Sequence, residues 1–420
     1  MTQVPARSGA QFRLIMREDG VVRELGGELT QAVSETDYVL RQALDLGASD
    51  IHLQPERNRL LVRFRIDGVM HDVGQLNADL MPNIFARLKL ASGMQIDERR
   101  EPQDGRLDMI YGMRRLSARV SCLPMLNGEK FVMRILDPMG AKVDLDKLGM
   151  PPEIAQKWIN SIQSSYGLVL VTGPTGSGKT STLYASLHKL DREKRNIVTV
   201  EDPIEYEFED HITQVQVTER LSFPRVMRSF LRQDPDVMLV GEMRDPESLG
   251  IGIQASLTGH LVLSTLHTNN AVETISRMMD MGGEPYLIAS TLQCVMAQRL
   301  IRTICTRCKA PHKFPDDELL EIGIDPRNVA NHTFYKGAGC QECRNTGFKG
   351  RMGLFEIAVS TPELREMIVK HASIGELTEH LRLKQGMRTM LEDGYQKIAG
   401  GFTTPKEVFT AVYSTMTVIG

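Results

Sequence analysis

The sequence predicts an α/β protein: a doubly wound parallel sheet in the later, larger part of the chain, preceded by a smaller α/β domain. Two observations carry this. Short apolar runs at Gly167–Thr172, Ile197–Val200, Val237–Val240 and Leu261–Leu266 are separated by helical stretches. Uninterrupted apolar strands that alternate with helices mark a parallel sheet covered on both faces. Ahead of residue 137 the pattern changes to apolar and basic residues in near alternation, punctuated by hairpin-type turns.

Residues 1–29 carry no strong pattern, contain Gly26-Gly27 and read as a short extension. The spacing of Val33, Tyr38, Val39, Ala43, Leu44 and Leu46 predicts an amphipathic helix over Thr30–Leu46. Leu60–Ile66 reads as a strand ended by the turn Asp67-Gly68, and Leu80–Met94 as a second helix. Arg106–Arg119 and Lys130–Leu136 read as further strands around turns at Gly112 and Asn127-Gly128. Residues 30–137 are therefore the smaller domain, and 138–155, rich in turn residues, a linker. Residues 156–300 hold the parallel sheet, 301–350 hold four of the cysteines, and 351–420 form a mostly charged helical tail in which Ile374–Met390 is one amphipathic helix.

The composition is that of an ordinary water-soluble chain, with 41% hydrophobic and 25% charged residues. A net charge of −3 supplies no general attraction to nucleic acid or anionic lipid. No apolar run approaches the roughly 18 residues needed to cross a bilayer. The apolar stretch Phe12–Met16 is interrupted by Arg13 and followed by Arg17, unlike a secretory signal. These features lead to the expectation of a cytoplasmic protein that meets any membrane only peripherally, through a partner.

The strongest local signal is GPTGSGKT, comprising Gly173, Pro174, Thr175, Gly176, Ser177, Gly178, Lys179 and Thr180, with Ser181 next. It fits the phosphate-loop pattern G-x-x-x-x-G-K-[ST], the Walker A motif. Glycines let backbone amides turn toward phosphate oxygens, and Lys179 reaches the outer phosphates of ATP. The Thr180 hydroxyl suits Mg²⁺, and the following helix points its positive end at the anion. A chance glycine turn would lack the buried strand before it and the helical segment Ser181–Leu190 after it.

Hydrolysis needs acidic partners, and two clusters follow apolar strands. Gly241-Glu242 closes Val237–Val240 at the Walker B position, and Glu201-Asp202-Pro203-Ile204-Glu205 closes Ile197–Val200. In an open α/β sheet ligands bind at the carboxyl ends of strands. There Glu242 would meet Mg²⁺ or its waters, and Glu205 would orient or deprotonate the attacking water. A single acidic turn would more simply be a solvated loop; two of them downstream of a phosphate loop favour chemistry. His267 closes Leu261–Leu266 and His260 precedes it. A lone histidine is more often structural, but the strand-end position of His267 suits a γ-phosphate sensor.

Cys305-x-x-Cys308 and Cys340-x-x-Cys343 offer four thiolates, the usual set for tetrahedral Zn²⁺, while Cys122 and Cys294 stand apart. Gly339 and Gly347 flank the second pair, as in a tight knuckle whose amides face sulfur. The 31 residues between the pairs exceed the usual ~15–20 and call for an inserted helix or loop. Free thiols and an Fe–S cluster are the competing readings.

Taken together, GPTGSGKT, EDPIE, RQDPDVMLVGEMRD and TGHLVLSTLHTN resemble the ATPases of type II secretion and type IV pilus assembly. SDIHLQP at 49–55, RFRIDG at 63–68, PQDGR at 102–106 and GEKFVMRIL through 136 extend the likeness over residues 30–420. The resemblance implies a RecA-like P-loop NTPase core with a smaller PAS-like N-terminal domain, assembled as a ring-shaped homo-hexamer on an inner-membrane platform protein. It implies phosphate and Mg²⁺ contacts for Lys179 and Thr180, and catalytic roles for Glu205, Glu242 and His267. His260 would complete the histidine box, Arg119 and Arg134 would reach the γ-phosphate, and Arg228, Arg232 and Arg244 would lie near the nucleotide or a subunit interface. The four cysteines are similar to a module of assembly members that retraction motors generally lack. Assembly members often carry a larger docking region than residues 1–29, so a shortened docking segment and another docking face both stay open.

Two other classes are weighed against this. A RecA-like nucleic-acid translocase would want a basic channel and stacking aromatics, whereas aromatics are 5% and the charge is slightly acidic. A nucleotide-gated scaffold without turnover would have no use for both Glu205 and Glu242. Retraction, DNA uptake and conjugation remain as alternative machines of the same family.

Overall fold

The computed structural model describes residues 11–18, 21–25, 30–136, 144–208, 210–329 and 332–413. The rest of the expected extension (1–10, 19–20 and 26–29), residue 137, part of the expected linker (138–143) and the last seven residues lie outside the described residues. The chain divides into two compact units, Met1–Gly140 and Ala141–Gly420.

The first unit runs β1 (Phe12–Glu18), β2 (Val21–Glu24), α1 (Gln31–Asp45), β3 (Asp50–Pro55), β4 (Arg59–Ile66), β5 (Val69–Asn77), α2 (Met81–Ala91), β6 (Gln103–Tyr111), β7 (Arg114–Met125) and β8 (Gly128–Leu136). The strands form one sheet in the order β2-β1-β6-β7-β8-β3-β4-β5, with every pair antiparallel. Alternation decides which face is covered: Leu60, Val62, Phe64 and Ile66 of β4 are buried, and the residues between them are not. Leu40 and Ala43 of α1 and Ile84 and Leu88 of α2 join the same core. Thr30 caps α1 by accepting the Val33 amide at 3.3 Å.

Here the sequence reading missed four strands. β1 and β2 lie in the segment read as patternless, and β3 and β5 were not singled out. In β1, Phe12 and Leu14 are buried and Arg13 between them is exposed. The arginine that interrupts the apolar stretch is thus the outward residue of a two-residue period. The run Arg106–Arg119 is two strands, β6 and β7, folded back at Gly112.

The second unit opens with α3 (Pro152–Ile162), β9 (Gly167–Thr172), α4 (Lys179–Lys189), β10 (Ile197–Glu201), β11 (Ile212–Gln216), α5 (Phe223–Phe230) and β12 (Val237–Val240). It continues with α6 (Pro246–Leu257), β13 (Leu261–Leu266), α7 (Ala271–Asp280), α8 (Pro285–Thr291), β14 (Leu292–Ile304), β15 (Lys309–His312), α9 (Asp316–Glu321), β16 (Phe334–Gly337) and β17 (Phe348–Val359). Four helices close it: α10 (Pro362–Val369), α11 (Ile374–Gln385), α12 (Met390–Ala399) and α13 (Pro405–Tyr413).

Its main sheet has the order β11-β10-β12-β13-β9-β14-β17. It is parallel from β11 through β14, with β17 antiparallel at the edge. The four runs that predicted it are buried along their whole length. Alternate residues of each strand feed two cores, one on either face: Leu168 and Leu170 go to one, Val169 and Val171 to the other. This is the doubly wound arrangement expected. The long strands β14 and β17 were not foreseen, because Gln293, Gln298, Arg299 and Arg302, then Lys349 and Arg351, break their apolar pattern. The single helix expected over Ile374–Met390 is interrupted at Gly386, whose φ is +61°. It restarts with Thr389 accepting the Glu392 amide at 3.3 Å. Among the described residues no helix is long and apolar enough to cross a membrane.

Trp158, the only tryptophan, is fully buried between α3 and α4, and its indole N–H donates to Ser186 Oγ at 2.8 Å. Trp158→Ala should therefore destabilise the second unit by about 3–5 kcal/mol, read by denaturant unfolding followed in circular dichroism.

Candidate active site and metal centre

Four neighbouring parallel strands share one register and end within two residues of a common row. Val200 of β10 lies opposite Val240 of β12, Val240 opposite Ser264 of β13, and Ser264 opposite Leu170 of β9. Beyond their carboxyl ends come, in spatial order, the acidic loop from Glu201 to Glu205, then Gly241-Glu242, then His267, then the glycine loop 173–178. Residues far apart in sequence thus share one edge of the sheet, the edge at which such folds bind ligands.

The glycine loop is shaped by its backbone and by β14. A Cβ on Gly173 would lie 2.4 Å from the Gln298 carbonyl oxygen, and one on Gly178, at φ +88°, would lie 2.8 Å from Gln298 Nε2. No other residue fits those two positions. Helix α4 starts at Lys179, which is 9% exposed, with Nζ donating to the carbonyls of Gly173 at 2.7 Å and Pro174 at 3.1 Å. Burial lowers its pKa to about 8, with Glu242 opposing and Arg299 reinforcing the shift. Pro174 and Ser181 are half-buried, while Thr175, Gly176 and Thr180 are exposed. Ser177 is buried, and its Oγ has no hydrogen-bond partner among the described residues.

Glu242 stands just beyond β12. Its carboxylate receives Arg244 Nε at 2.7 Å and lies 3.5 Å from His267 Nε2. The pKa of His267 is held below its ordinary value by burial first and by the charge of Lys179 second, against the pull of Glu242. Lys179, Glu242, His267 and Arg244 therefore form one electrostatic group. The loop bearing His267 is pinned on both sides. The Thr268 amide donates to Thr172 Oγ1 at 2.8 Å, and Arg299 Nη2 donates to the Asn269 carbonyl at 3.0 Å.

The acidic cluster after β10 separates into two kinds of group. Glu201 is 3% exposed and accepts from Thr199 Oγ1 at 2.6 Å, from the Tyr184 hydroxyl and from Gln214 Nε2. Burial raises its pKa. Glu205 is half-buried, and its backbone amide donates to the Tyr184 oxygen at 3.3 Å.

Other expected residues lie apart from this group. His260 precedes β13 at the amino end of the strand, about 23 Å from His267 at the ~3.3 Å rise per residue of a strand. Its Nδ1 lies 2.9 Å from the Ala255 carbonyl, where it closes the end of α6. Within this chain His260 therefore stands apart from the group around Lys179, at a helix end. Arg228 pairs with Glu247, and Arg232 donates to the Arg228 carbonyl at 2.8 Å, on an exposed surface. Arg119 and Arg134 belong to the first unit, exposed and directly opposite one another on β7 and β8. The buried Asp50 accepts Arg134 Nε at 2.9 Å and lies 3.7 Å from Arg65 Nε.

Sequence reasoning missed Tyr184, Gln298 and Arg299. Gln298 is fully buried and accepts Thr182 Oγ1 at 2.7 Å while its main chain and amide wall the glycine loop. The available signal was the strand β14 itself, which its polar residues concealed.

The four cysteine sulfurs of 305, 308, 340 and 343 lie within 4.8 Å of one another. Individual pairs stand at 3.9, 3.7 and 3.7 Å. Tetrahedral zinc with ~2.3 Å bonds places sulfurs about 3.8 Å apart, so the set fits Zn²⁺. The amides of Cys340 and Gly347 donate to Cys343 Sγ at 3.2 Å each. Burial pushes that thiol up, but the amide donors prevail and bring it down to about 6. Between the two pairs the chain inserts α9 and the β15–β16 hairpin. Cys305 lies seven positions beyond Gln298, just past the end of β14, about 23 Å by strand rise.

Two measurements follow from this geometry. A phosphate pairs only with protonated Lys179, so binding takes up a proton once the free lysine is neutral. ADP affinity should be at full strength below pH ~8 and then fall by up to about tenfold per pH unit, read by calorimetric titration. Loading the sulfur cluster with Zn²⁺ should raise the unfolding temperature, and a chelator or Cys343→Ser should cancel that gain. The distance from the glycine loop leads us to expect an unchanged ADP affinity.

With fold and site described, comparison with known proteins gives a consistent result. The profile of the family described as "Type II/IV secretion system protein" matches residues 28–410. The chain is 45% identical to "Type II secretion system protein E" of Pseudomonas aeruginosa over 372 residues, covering 88% of this chain and 73% of that one. It is 43% identical to "Type IV pilus assembly ATPase PilB" of Myxococcus xanthus over 380 residues, 90% of this chain and 67% of that one. Among solved structures it is similar to the pilus retraction motor PilT with bound ADP, at 27% identity and a TM-score of 0.63, covering 91% and 96% of the two chains. The match spans both units and the whole group of strand-end residues, and the chain belongs to the type II/IV secretion system protein family.

Proposed function

We propose that this protein hydrolyses ATP and, as a ring-shaped homo-hexamer held at the inner membrane by a platform protein, powers type IV pilus assembly or type II secretion. One observation carries the chemical part: Lys179, Glu242 and His267 converge beyond three adjacent parallel strands, with Glu205 on the loop of the fourth. The relatives named above support the biological part, being at 43% and 45% identity an assembly ATPase and a secretion protein, while the retraction motor stands at 27%. The sulfur cluster points the same way, as a structural zinc module of assembly-type members.

In this reading the amides of 173–178 and Lys179 cradle the phosphates, and the ammonium leaves the carbonyls of Gly173 and Pro174 for the nucleotide. Thr180 and Glu242 would hold Mg²⁺, directly or through water, and the ion would neutralise charge on the outer phosphates. Glu205 orients or deprotonates the attacking water. His267, whose pKa is held down by burial and by Lys179, tests for the γ-phosphate. Arg119 and Arg134 stabilise the charge that spreads over the transferred phosphoryl group. Their placement supports the reading: like charges directly opposite on a sheet repel, and an anion between them relieves this.

Phosphate release by the purified full chain tests the proposal. Glu242→Gln should lower kcat by ~100-fold or more with little change in ADP affinity, and Lys179→Ala should weaken nucleotide binding itself. Absence of phosphate release by the parent chain would overturn the enzyme reading, and turnover that survives in both variants would overturn the assignment of this site. Loss of pili or of secreted protein with a folded Lys179→Ala variant identifies the machine.

A further inference from the structure

We propose that Tyr184, Glu201 and Gln214 are positioning residues that tie the helix behind the glycine loop to the loop carrying Glu205, so that Glu205 is held in place by the same element that holds the phosphates. The inference rests on the proposed role of Glu205 and deepens it.

Helix α4 begins at Lys179, and Tyr184 lies five residues along it, 1% exposed. Its hydroxyl donates to the Glu201 carboxylate and accepts the Glu205 amide at 3.3 Å. From the other side, Gln214 of β11 donates to Glu201 Oε1 at 3.3 Å and to the Tyr206 carbonyl at 3.2 Å, and its Oε1 accepts the Phe208 amide at 2.7 Å. Three backbone groups of the acidic loop, at residues 205, 206 and 208, are thus fixed by two side chains that converge on one buried carboxylate.

Ring contacts repeat the connection. Tyr206 and Phe208 pack edge-on against Tyr184 with centroids at 4.5 and 5.1 Å. His188 of α4 lies 3.0 Å from the Tyr206 hydroxyl and 5.2 Å from the Phe208 centroid.

A carboxylate 3% exposed is costly unless its oxygens are satisfied. Packing α4 against the sheet needs no such group, since apolar side chains do that elsewhere on the same helix, as at Leu183 and Leu187. What Glu201 adds is direction. It aims the Tyr184 hydroxyl so that its lone pair meets the Glu205 amide, and it aims the Gln214 amide at the loop. Misplacing a reacting group by about 1 Å costs on the order of 100-fold in rate, so a loop fixed at three backbone points is a kinetic asset.

The test uses the full chain. Tyr184→Phe keeps the ring and removes the oxygen. We expect kcat for ATP to fall about 10- to 100-fold, with the ADP dissociation constant within about twofold of the parent and faster amide exchange across 202–208. In a Glu205→Gln background the same substitution should cause no further loss, because it acts through Glu205. Gln214→Ala, at the sheet edge, should behave alike and serves if Tyr184→Phe does not fold. An unchanged kcat in these variants, or losses that multiply with that of Glu205→Gln, would overturn the proposal while leaving Glu205 its role. An unchanged kcat for Glu205→Gln alone would instead overturn that role and the proposal with it.

Discussion

The candidate site depends on one constraint, the common register of four parallel strands. Hydrogen bonding sets Val200, Val240, Ser264 and Leu170 in a single row across the sheet. A slip of one residue in any strand would move its loop by about 3.3 Å and turn every side chain to the other face. Full burial on both faces forbids that slip, because each strand feeds alternate residues to two separate cores. The precision of the site is thus a property of the apolar strands, and the reactive side chains inherit it.

A second layer holds the loops once the strands have placed them, and it is made of buried polar groups. Arg299, 3% exposed, reaches from β14 to the Asn269 carbonyl, and Glu356, 5% exposed, accepts the Ala271 amide at 2.9 Å from β17. Burial lowers the pKa of Arg299 against the pull of Glu356 and Glu273, and raises that of Glu356 against the hydrogen bonds from the Ala271 and Met390 amides. Such groups contribute little net stability, but they satisfy backbone atoms that the turns after β13 would otherwise leave bare. The two strands at that end of the sheet, which looked least like strands in sequence, therefore support the loop that bears His267.

What could be read from the sequence follows from the range of each interaction. Gly173–Thr180 was legible because a phosphate loop is a local backbone shape that dictates its own residues. Glu242 and His267 were legible because each ends an apolar strand. The division of labour between Glu201 and Glu205 was not, since both stand in one acidic string and only the long-range contacts with Tyr184 and Gln214 bury the first. The separation of His260 from His267 was not legible either: their proximity along the chain becomes distance once the six residues between are extended. β1 and β14 escaped notice because a strand at or near a sheet edge, or against a polar loop, carries outward residues that dilute its period.

The charge around the glycine loop gives the last step. A nucleoside triphosphate brings several negative charges, and the second unit meets them with few free cations. Lys179 is the buried ammonium of the loop, Arg244 is engaged by Glu242, and Arg299 is occupied by Asn269. The loop amides and the start of α4 add partial positive charge, enough to bind phosphate but less than a loose phosphoryl transition state calls for. The first unit, by contrast, sets Arg119 opposite Arg134 and spends one buried carboxylate, Asp50, on holding Arg134. On β7 and β8 the two guanidiniums repel, and Asp50 offsets that charge on the Arg134 side alone.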